Sequence, residues 1–303
     1  MANRTALFSR KQPGGVFTID DLQEHPGDIY FVDSGSGTDG AGYGKDPDSP
    51  FDSLDYAVGQ CTANQGDVIY VMPGHAENLA ADSDVDIDVA GVTVIGLGKG
   101  ADRPTFTATA AAGDFKLAAA SVHVENILFI GGIDATTGIV EVSGNDCVLN
   151  DIEYRDSTGQ ATDIIVTDTA DRLLIDGLRV IGAAGDGGDT AVMLNGCDDV
   201  VIRNFDIYGN FDLGAIECRT AACARVWIHS GYIWTAGSED LGVKDTVTGS
   251  TGAVGPDLFI RLADDADNIT EAVTGATFHV FDPVYVVNAN NQKATLIDWT
   301  ASA

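Results

Sequence analysis

Apolar residues recur at regular intervals through the middle of the chain, in short units about two dozen residues apart. Apolar side chains occupy positions 0, +2, +5 and +7 of each unit, with Gly231 as the single exception. The polar residues at +3 and +4 are usually Asn, Asp, Gly or Ser, which support bends. Five units follow one another at separations of 25, 26, 27 and 26 residues, and they begin at Val122, Cys147, Leu173, Val200 and Val226.

Each unit is predicted to form two short strands around a corner. Positions two apart lie on one face of a strand, whereas a helix would need apolar spacing of three and four residues. One unit cannot bury its apolar face alone, but stacked units can. The pattern therefore predicts an all-β, right-handed parallel β-helix, since parallel crossovers are nearly always right-handed. Leucine-rich repeats need a Leu-rich consensus that these units lack, and propeller blades need about 40 residues.

The two ends of the chain are less regular and are predicted to differ from the coils. Residues 1–27 are expected to form an N-terminal arm, residues 28–245 the β-helix, and residues 256–303 a C-terminal β cap or small β-domain. Helical spacing of apolar residues near 51–63 predicts a capping helix, because a β-helix must cover its open end. The strands expected in the C-terminal region are 258–262 and 284–287.

The composition narrows the classes of partner. The 303 residues include 46 acidic and 16 basic side chains, a formal net charge of −30, so the surface repels phosphates and no nucleic acid partner is expected. The sequence contains no run of about 18 apolar residues, so no membrane-spanning helix is expected. Five cysteines, an odd number, do not predict a disulfide framework. The N-terminus lacks the apolar core of a signal peptide, so we expect synthesis in the cytoplasm without export by that route.

Two regions of the chain resemble known families. Residues 30–35, 49–57 and 66–74 resemble the opening of pectate-lyase-like β-helix proteins, in which lyases, hydrolases, tailspikes and inert scaffolds share one fold. Residues 281–289 and 300–303 are similar to a group of β-helix proteins of tailed phages. The first resemblance implies the fold. The second implies a virion protein made in a host cytoplasm, a homotrimer, and capsid or other virion proteins as partners.

The sequence offers no family signature of catalysis. Pectate-lyase-type enzymes use an Arg or Lys base beside acidic calcium ligands, and polygalacturonase-like enzymes combine paired Asp residues with Gly-His-Gly. The pair Asp198 and Asp199 is present, but Gly-His-Gly is not. The arginines of the coils do not form the lyase motif and are expected on solvated surface. No catalytic residue is therefore predicted. These arginines are Arg155, Arg172, Arg179, Arg203, Arg219 and Arg225.

Closely spaced aspartates form the candidate cation sites. Four of them alternate along one segment, and on a strand they would share a face and repel one another unless a cation bound. Comparison with a calcium loop fails where Ile87 replaces Gly and Thr93 replaces Glu. The segment is therefore expected either to bind calcium or to form a solvated acidic edge, and no other cofactor is expected. The candidate ligands are Asp82, Asp84, Asp86 and Asp88, and, in a Gly-rich loop, Asp186 and Asp189.

Two outward-facing positions, +1 and +8, are predicted to form rows of apolar side chains along the β-helix. Stacked coils lie about 4.8 Å apart, so equivalent residues should line up. An exposed apolar stripe usually marks an interface, although the chain's own tail or the arm before Pro26 is an alternative cover. The predicted interface residues are Val148, Leu174, Val201 and Trp227 at +1, and Tyr208 and Trp234 at +8.

These observations together favour a non-enzymatic virion structural protein, a capsid-decorating or fibre-like trimer. The first alternative is a tailspike-type polysaccharide lyase or hydrolase. The second is a carbohydrate-binding module that uses aromatic side chains as stacking platforms. Aromatics on one open face would favour sugar binding, and the same aromatics between subunits would favour the scaffold. The platform candidates are Tyr208, Trp227, Tyr232 and Trp234.

Overall fold

A computed structural model describes residues 27–131, 133, 138–156, 163–182, 188–236, 242–263, 272–274, 278–281, 283–288 and 293–296. Within these ranges the chain forms three long sheets and one short α-helix. Each coil passes through the sheets in the order A, B, C and then returns to sheet A. The predicted right-handed parallel β-helix is confirmed.

Sheets A and B are the two walls that the sequence units predicted. Strands are numbered in chain order. Sheet A contains β1 (Ile29–Val32), β2 (Val68–Val71), β5 (Thr93–Gly96), β8 (His123–Glu125), β11 (Val148–Asn150), β14 (Leu174–Asp176), β17 (Val201–Arg203), β20 (Val226–His229), β23 (Gly252–Val254) and β26 (Phe278–Val280). Sheet B contains β3 (Ala76–Leu79), β6 (Thr105–Ala108), β9 (Leu128–Ile130), β12 (Glu153–Arg155), β15 (Arg179–Ile181), β18 (Asp206–Gly209), β21 (Gly231–Thr235), β24 (Leu258–Arg261), β27 (Val284–Val287) and β28 (Lys293–Leu296).

Sheet C is the third wall and follows the loops that leave sheet B. It contains β4 (Val85–Asp86), β7 (Phe115–Leu117), β10 (Val140–Val142), β13 (Asp163–Thr167), β16 (Thr190–Leu194), β19 (Gly214–Cys218), β22 (Val243–Asp245) and β25 (Val273–Thr274). Its strands pair in parallel with the coils on either side, as those of sheet A do.

The core lies inside the coil, where apolar side chains of all three sheets meet. Ile175 pairs in register with Ile202, and both are fully buried. The corner between sheets A and B depends on a residue in the left-handed region at +4. Asn126 takes this role with φ of 58°, and its side-chain amide donates to the carbonyl of Gly96 at 2.6 Å. The equivalent corner residues are Asp151, Gly177, Asn204 and Ser230.

The N-terminal end of the coil is covered by a short helix, α1 (Leu54–Val58), inside the range predicted for a capping helix. Ser53 begins it in an extended conformation, and its hydroxyl accepts a hydrogen bond from the backbone N–H of Tyr56 at 3.4 Å. Leu54 is among the buried residues of this helix. A 3-10 turn follows at Gly100–Asp102. No helix in the described part of the chain is long and apolar enough to cross a membrane.

The C-terminal region corrects the predicted end of the β-helix. Strands β24 and β27 form as predicted, but they extend sheet B in parallel register, with Ile233, Ile260 and Val286 in one inward row. The coils therefore continue past residue 256, and among the strands that the structure describes there, only β28, which pairs antiparallel with β27, has the character of a cap. The apolar pattern concealed this because Gly252 and Ala253 occupy β23. The predicted N-terminal arm lies outside the described residues except for Gly27.

Candidate active site

The outer face of sheet C carries a row of charged residues that strand pairing places one coil apart. The neighbours of each row member within its strand point into the core, for example Phe115 and Leu117 on either side of Lys116. The row is charged in its first coils, apolar in the middle and charged again at Glu217 and Lys244, after which Thr274 follows. In order it contains Asp86, Lys116, Glu141, Val166, Met193, Glu217 and Lys244.

The first charged group surrounds Lys116, whose ammonium lies 3.3 Å from a carboxylate oxygen of Glu141. Asp86 is the register partner of Lys116 in the preceding coil. Asp114 lies just before strand β7, two residues from Lys116, and the charges of Glu141 and Lys116 both act on it. It is only 5% exposed, and it accepts a hydrogen bond from the backbone N–H of Ser83 at 2.6 Å. Asp86, Asp114, Lys116 and Glu141 are called the Lys116 cluster below.

Burial perturbs the acid–base properties of this cluster. It raises the pKa of Asp114 to about 6, with further upward contributions from the charges of Glu141 and Asp82, against the Ser83 hydrogen bond and Lys116. Burial and the nearby Asp88 also raise the pKa of Asp86. The hydrogen bond to Glu141 raises the pKa of Lys116, so its amine remains an ammonium at neutral pH. Groups perturbed by burial and by specific charged neighbours are typical of functional sites.

A second charged group lies further along the same face. Glu217 is 1% exposed and lies between two cations: the guanidinium of Arg219 at 3.6 Å and the ammonium of Lys244 at 3.8 Å. Arg219 also donates to Asp163, so one guanidinium bridges two carboxylates. Burial raises the pKa of Asp163, and Arg219 opposes that rise. Asp163, Glu217, Arg219 and Lys244 form the Glu217 cluster.

The aspartates predicted as cation ligands do not converge on one point. Strand β4 covers only Val85–Asp86, so Asp82 and Asp84 lie in the turn before it. Asp84 accepts the backbone N–H of Ala81 at 3.1 Å and stabilises that turn. Within the described ranges, no three His, Cys, Asp or Glu side chains are grouped so as to hold a metal ion.

Only Asp86 of that set belongs to the Lys116 cluster, where an ammonium already supplies the positive charge. The cluster therefore does not fit a calcium ion. Asp189 acts on the Glu217 cluster, because its charge contributes to the raised pKa of Asp163. Asp186 lies outside the described residues. A calcium site at these aspartates stays a prediction.

The residues predicted to form an interface do line up in rows. Strand register places Val148, Leu174, Val201 and Trp227 in one outward row on sheet A. The first three are half-buried, and Trp227 is 43% exposed. Its indole N–H donates to the carbonyl of Gly255 at 2.8 Å. The interface role of this row stays a prediction.

The other two predicted interface residues, Tyr208 and Trp234, are register neighbours on sheet B. Their rings meet edge to face, with centroids 5.5 Å apart. Both side chains are half-buried, so they too belong to an outward row rather than to the core. Their role as interface residues also stays a prediction.

Sequence reasoning missed both charged clusters. Arg219 was expected on solvated surface, but its guanidinium binds Asp163 and Glu217 and is largely buried. The available signal was the coil spacing itself, since Lys116 and Glu141 are 25 residues apart. Asp198 and Asp199, in contrast, lie at a corner and are both paired with Arg225.

Comparison with solved structures identifies proteins of the same architecture. The chain is similar to a rhamnogalacturonan lyase, with 12% identity, a TM-score of 0.51, and coverage of 89% of this chain and 90% of that chain. It is also similar to a pectate lyase (12% identity, TM-score 0.49, coverage 91% and 81%). An alginate lyase from Paenibacillus sp. follows (11% identity, TM-score 0.40, coverage 82% and 96%). No protein-family model and no curated protein matches the chain. The structural match to the rhamnogalacturonan lyase shows a shared fold alone, which confirms the pectate-lyase-like resemblance at the level of architecture.

Proposed function

We propose that the protein cleaves a uronate-containing polysaccharide by elimination, and that the Lys116 cluster on the outer face of sheet C supplies the reacting groups. The observation that carries this proposal is Asp114, a buried carboxyl whose pKa is raised to about 6 beside an ion-paired lysine and glutamate. The fold shared with a rhamnogalacturonan lyase supports the substrate class. The proposal adopts the first alternative from the sequence in place of a role without catalysis.

Each group of the cluster has a role in this reaction. The carboxylate of Glu141 takes the proton from the carbon next to the uronate carboxyl, and the Lys116 ammonium stabilises the negative charge that develops there. A carbon–carbon double bond forms as the bond from the ring carbon to the glycosidic oxygen breaks. Asp114, protonated below about pH 6, gives its proton to that leaving oxygen. The products are one sugar chain with an unsaturated end and one with a free hydroxyl.

The test is cleavage of a panel of polygalacturonate, rhamnogalacturonan and alginate, with neutral glucans as controls. We expect ultraviolet absorbance from unsaturated uronate ends with an acidic substrate, declining as pH rises through about 6 because Asp114 loses its proton. Asp114→Asn and Glu141→Gln should each lower kcat by about 10²–10⁴-fold, the usual contribution of a general acid or base. Asp146→Asn, an exposed carboxylate at a corner, should leave kcat unchanged.

Three results would contradict the proposal. One is a failure to cleave any member of the panel. A second is full activity in both cluster variants. The third is new reducing ends without ultraviolet absorbance, because this would mean that water is added and the reaction is hydrolysis by the two carboxylates.

The virion structural role is the second candidate function, and the exposed Trp227 and Tyr285 favour it. A capsid or other virion partner, a homotrimer and a virion location remain predictions from the phage resemblance. Electron microscopy of native particles with a labelled antibody against the protein tests them. Particles without label would contradict this role and leave the elimination reaction untouched.

A carbohydrate-binding function would require aromatic ring faces that are not covered by other side chains of the protein. Arg261 covers the Trp234 ring at 4.1 Å from its centroid, and Tyr208 contacts the same indole. Tyr232 stacks on Phe259 with only 7° between the ring planes. Because these rings are already packed against protein side chains, the geometry disfavours them as sugar platforms.

A further inference from the structure

The C-terminal half of sheet B carries a surface unlike the rest of the molecule. Two outward rows cross β18, β21, β24 and β27, separated by the inward row of Ile207, Ile233, Ile260 and Val286. Most members of the two rows are aromatic. The Arg–aromatic face is defined as Tyr208, Tyr232, Trp234, Phe259, Arg261 and Tyr285.

The side chains of this face are ordered by one another. Tyr232 and Phe259 stack with centroids 5.1 Å apart, and the Arg261 guanidinium lies over the Trp234 ring. Because Tyr232 and Phe259 are register partners in successive coils, they stack along the axis of the β-helix and direct their edges away from it. The result is a rigid surface of ring edges, whose side-chain entropy is already lost before any partner binds.

The charge of these rows differs from that of the chain. From β9 to β27 the two rows contain three arginines, Arg155, Arg179 and Arg261, and two carboxylates, Glu153 and Asp206, a net charge of +1. The whole chain carries −30. Contact between two copies through sheet B therefore brings little net charge together, which matters because like charges across an interface cost several kcal/mol.

We propose that the Arg–aromatic face binds a second copy of this chain. Tyr, Trp and Arg are the side chains that most often anchor protein interfaces, and charged residues are depleted from interface centres. Tyr285 of this face is 47% exposed and is one of five exposed large apolar side chains among the described residues. The contact lies on sheet B and leaves the outer face of sheet C free.

The experiment measures the mass of the full-length protein by size-exclusion chromatography with light scattering, over a range of concentrations. We expect a multiple of 31.5 kDa for the wild type. Tyr285→Glu and Arg261→Glu should raise the Kd for association by at least about 10-fold, since each buries an unpaired carboxylate in the contact and Arg261→Glu also removes the guanidinium that covers Trp234. Higher salt should strengthen association of the wild type, because it screens the repulsion between two chains of −30.

Tyr43→Glu is the matched control, because Tyr43 is 40% exposed and lies outside the face. Circular dichroism checks that each variant keeps its β structure. A wild type of 31.5 kDa at every concentration would overturn the proposal. So would equal effects of Tyr43→Glu and Tyr285→Glu. A monomer that binds a polyanion such as heparin, and loses that binding in Arg261→Glu, would reassign the face to an acidic polymer.

Discussion

Replacing Asp114 by Asn should stabilise the protein at neutral pH. The substitution adds no new contact, but it removes the negative charge of a buried carboxylate. The folded protein holds the proton of Asp114 with a pKa of about 6, because burial disfavours the carboxylate. An aspartate in the unfolded chain has a pKa of about 3.9. The free energy of unfolding therefore falls as pH rises from about 4 to about 6, because the folded state binds more protons than the unfolded state in that range.

The size of this effect follows from the difference between the two pKa values. A difference of about 2 corresponds to about 3 kcal/mol at pH 7, and hydration of the partly open face reduces the expected gain in Asp114→Asn to about 1–3 kcal/mol. The amide oxygen of Asn can still accept the Ser83 N–H bond, so no hydrogen bond is lost. For a chain of this length, about 2 °C in Tm per kcal/mol is expected, a rise of about 2–6 °C.

The assay is thermal unfolding of wild type and Asp114→Asn at pH 4 and pH 7.5. The rise in Tm should be present at pH 7.5 and nearly absent at pH 4. Asp146→Asn is the matched control with the opposite sign, because the hydrogen bond from Arg172 lowers the pKa of Asp146 and its carboxylate stabilises the fold at neutral pH. A loss of Tm in Asp114→Asn that is equal at both pH values would refute the reasoning.

Three further predictions concern packing, the corners and metal. Gly231→Val should lower the free energy of unfolding by about 1–3 kcal/mol, because an added Cβ would lie 2.3 Å from the Phe205 ring. Adding Phe205→Ala to the same chain should recover part of that loss, as measured by urea unfolding. Asn126→Ala should destabilise more than Asn126→Gly by about 1 kcal/mol, since both lose the bond to Gly96 but only Ala is strained at positive φ. EDTA should leave the Tm unchanged, and a fall that calcium reverses would instead support a site at the aspartates around Asp86.

The coils could be predicted because the core imposes its period on the sequence. Every inward position of sheets A and B must be filled, so apolar residues recur wherever the chain returns, as at Ile175 and Ile202. Even the exception has a packing reason, since the ring of Phe205 fills the space above Gly231. In the coil just before residue 256, Gly252 and Ala253 stand opposite Val226 and Trp227, and the apolar pattern no longer predicts the wall from there on.

The candidate site could not be predicted because sheet C does not keep a fixed offset from the repeated units. Lys116 precedes its sheet A counterpart His123 by seven residues, whereas Glu217 precedes Trp227 by ten. The turn between sheets C and A thus changes length from coil to coil. Alignment of the units by their apolar residues keeps Lys116 and Glu141 in register, because Glu141 also precedes Val148 by seven residues, but it leaves Glu217 out of register with them. Burial of Asp114 depends on this row and on Ser83, a residue about 30 positions away.

Basic residues of the described chain pair with carboxylates in two different ways, at the corners and on sheet C. At the corners Arg172 and Arg225 each form a bidentate pair with an exposed aspartate, and those hydrogen bonds lower the pKa of Asp146 and Asp199. Such carboxylates stay ionised and cannot donate a proton. On sheet C one ammonium, Lys116, faces several carboxylates. Burial of Asp114 outweighs the nearby ammonium, so this carboxyl keeps its proton up to about pH 6. The proposed elimination uses that proton, and its loss above about pH 6 costs the fold stability that Asp114→Asn should return.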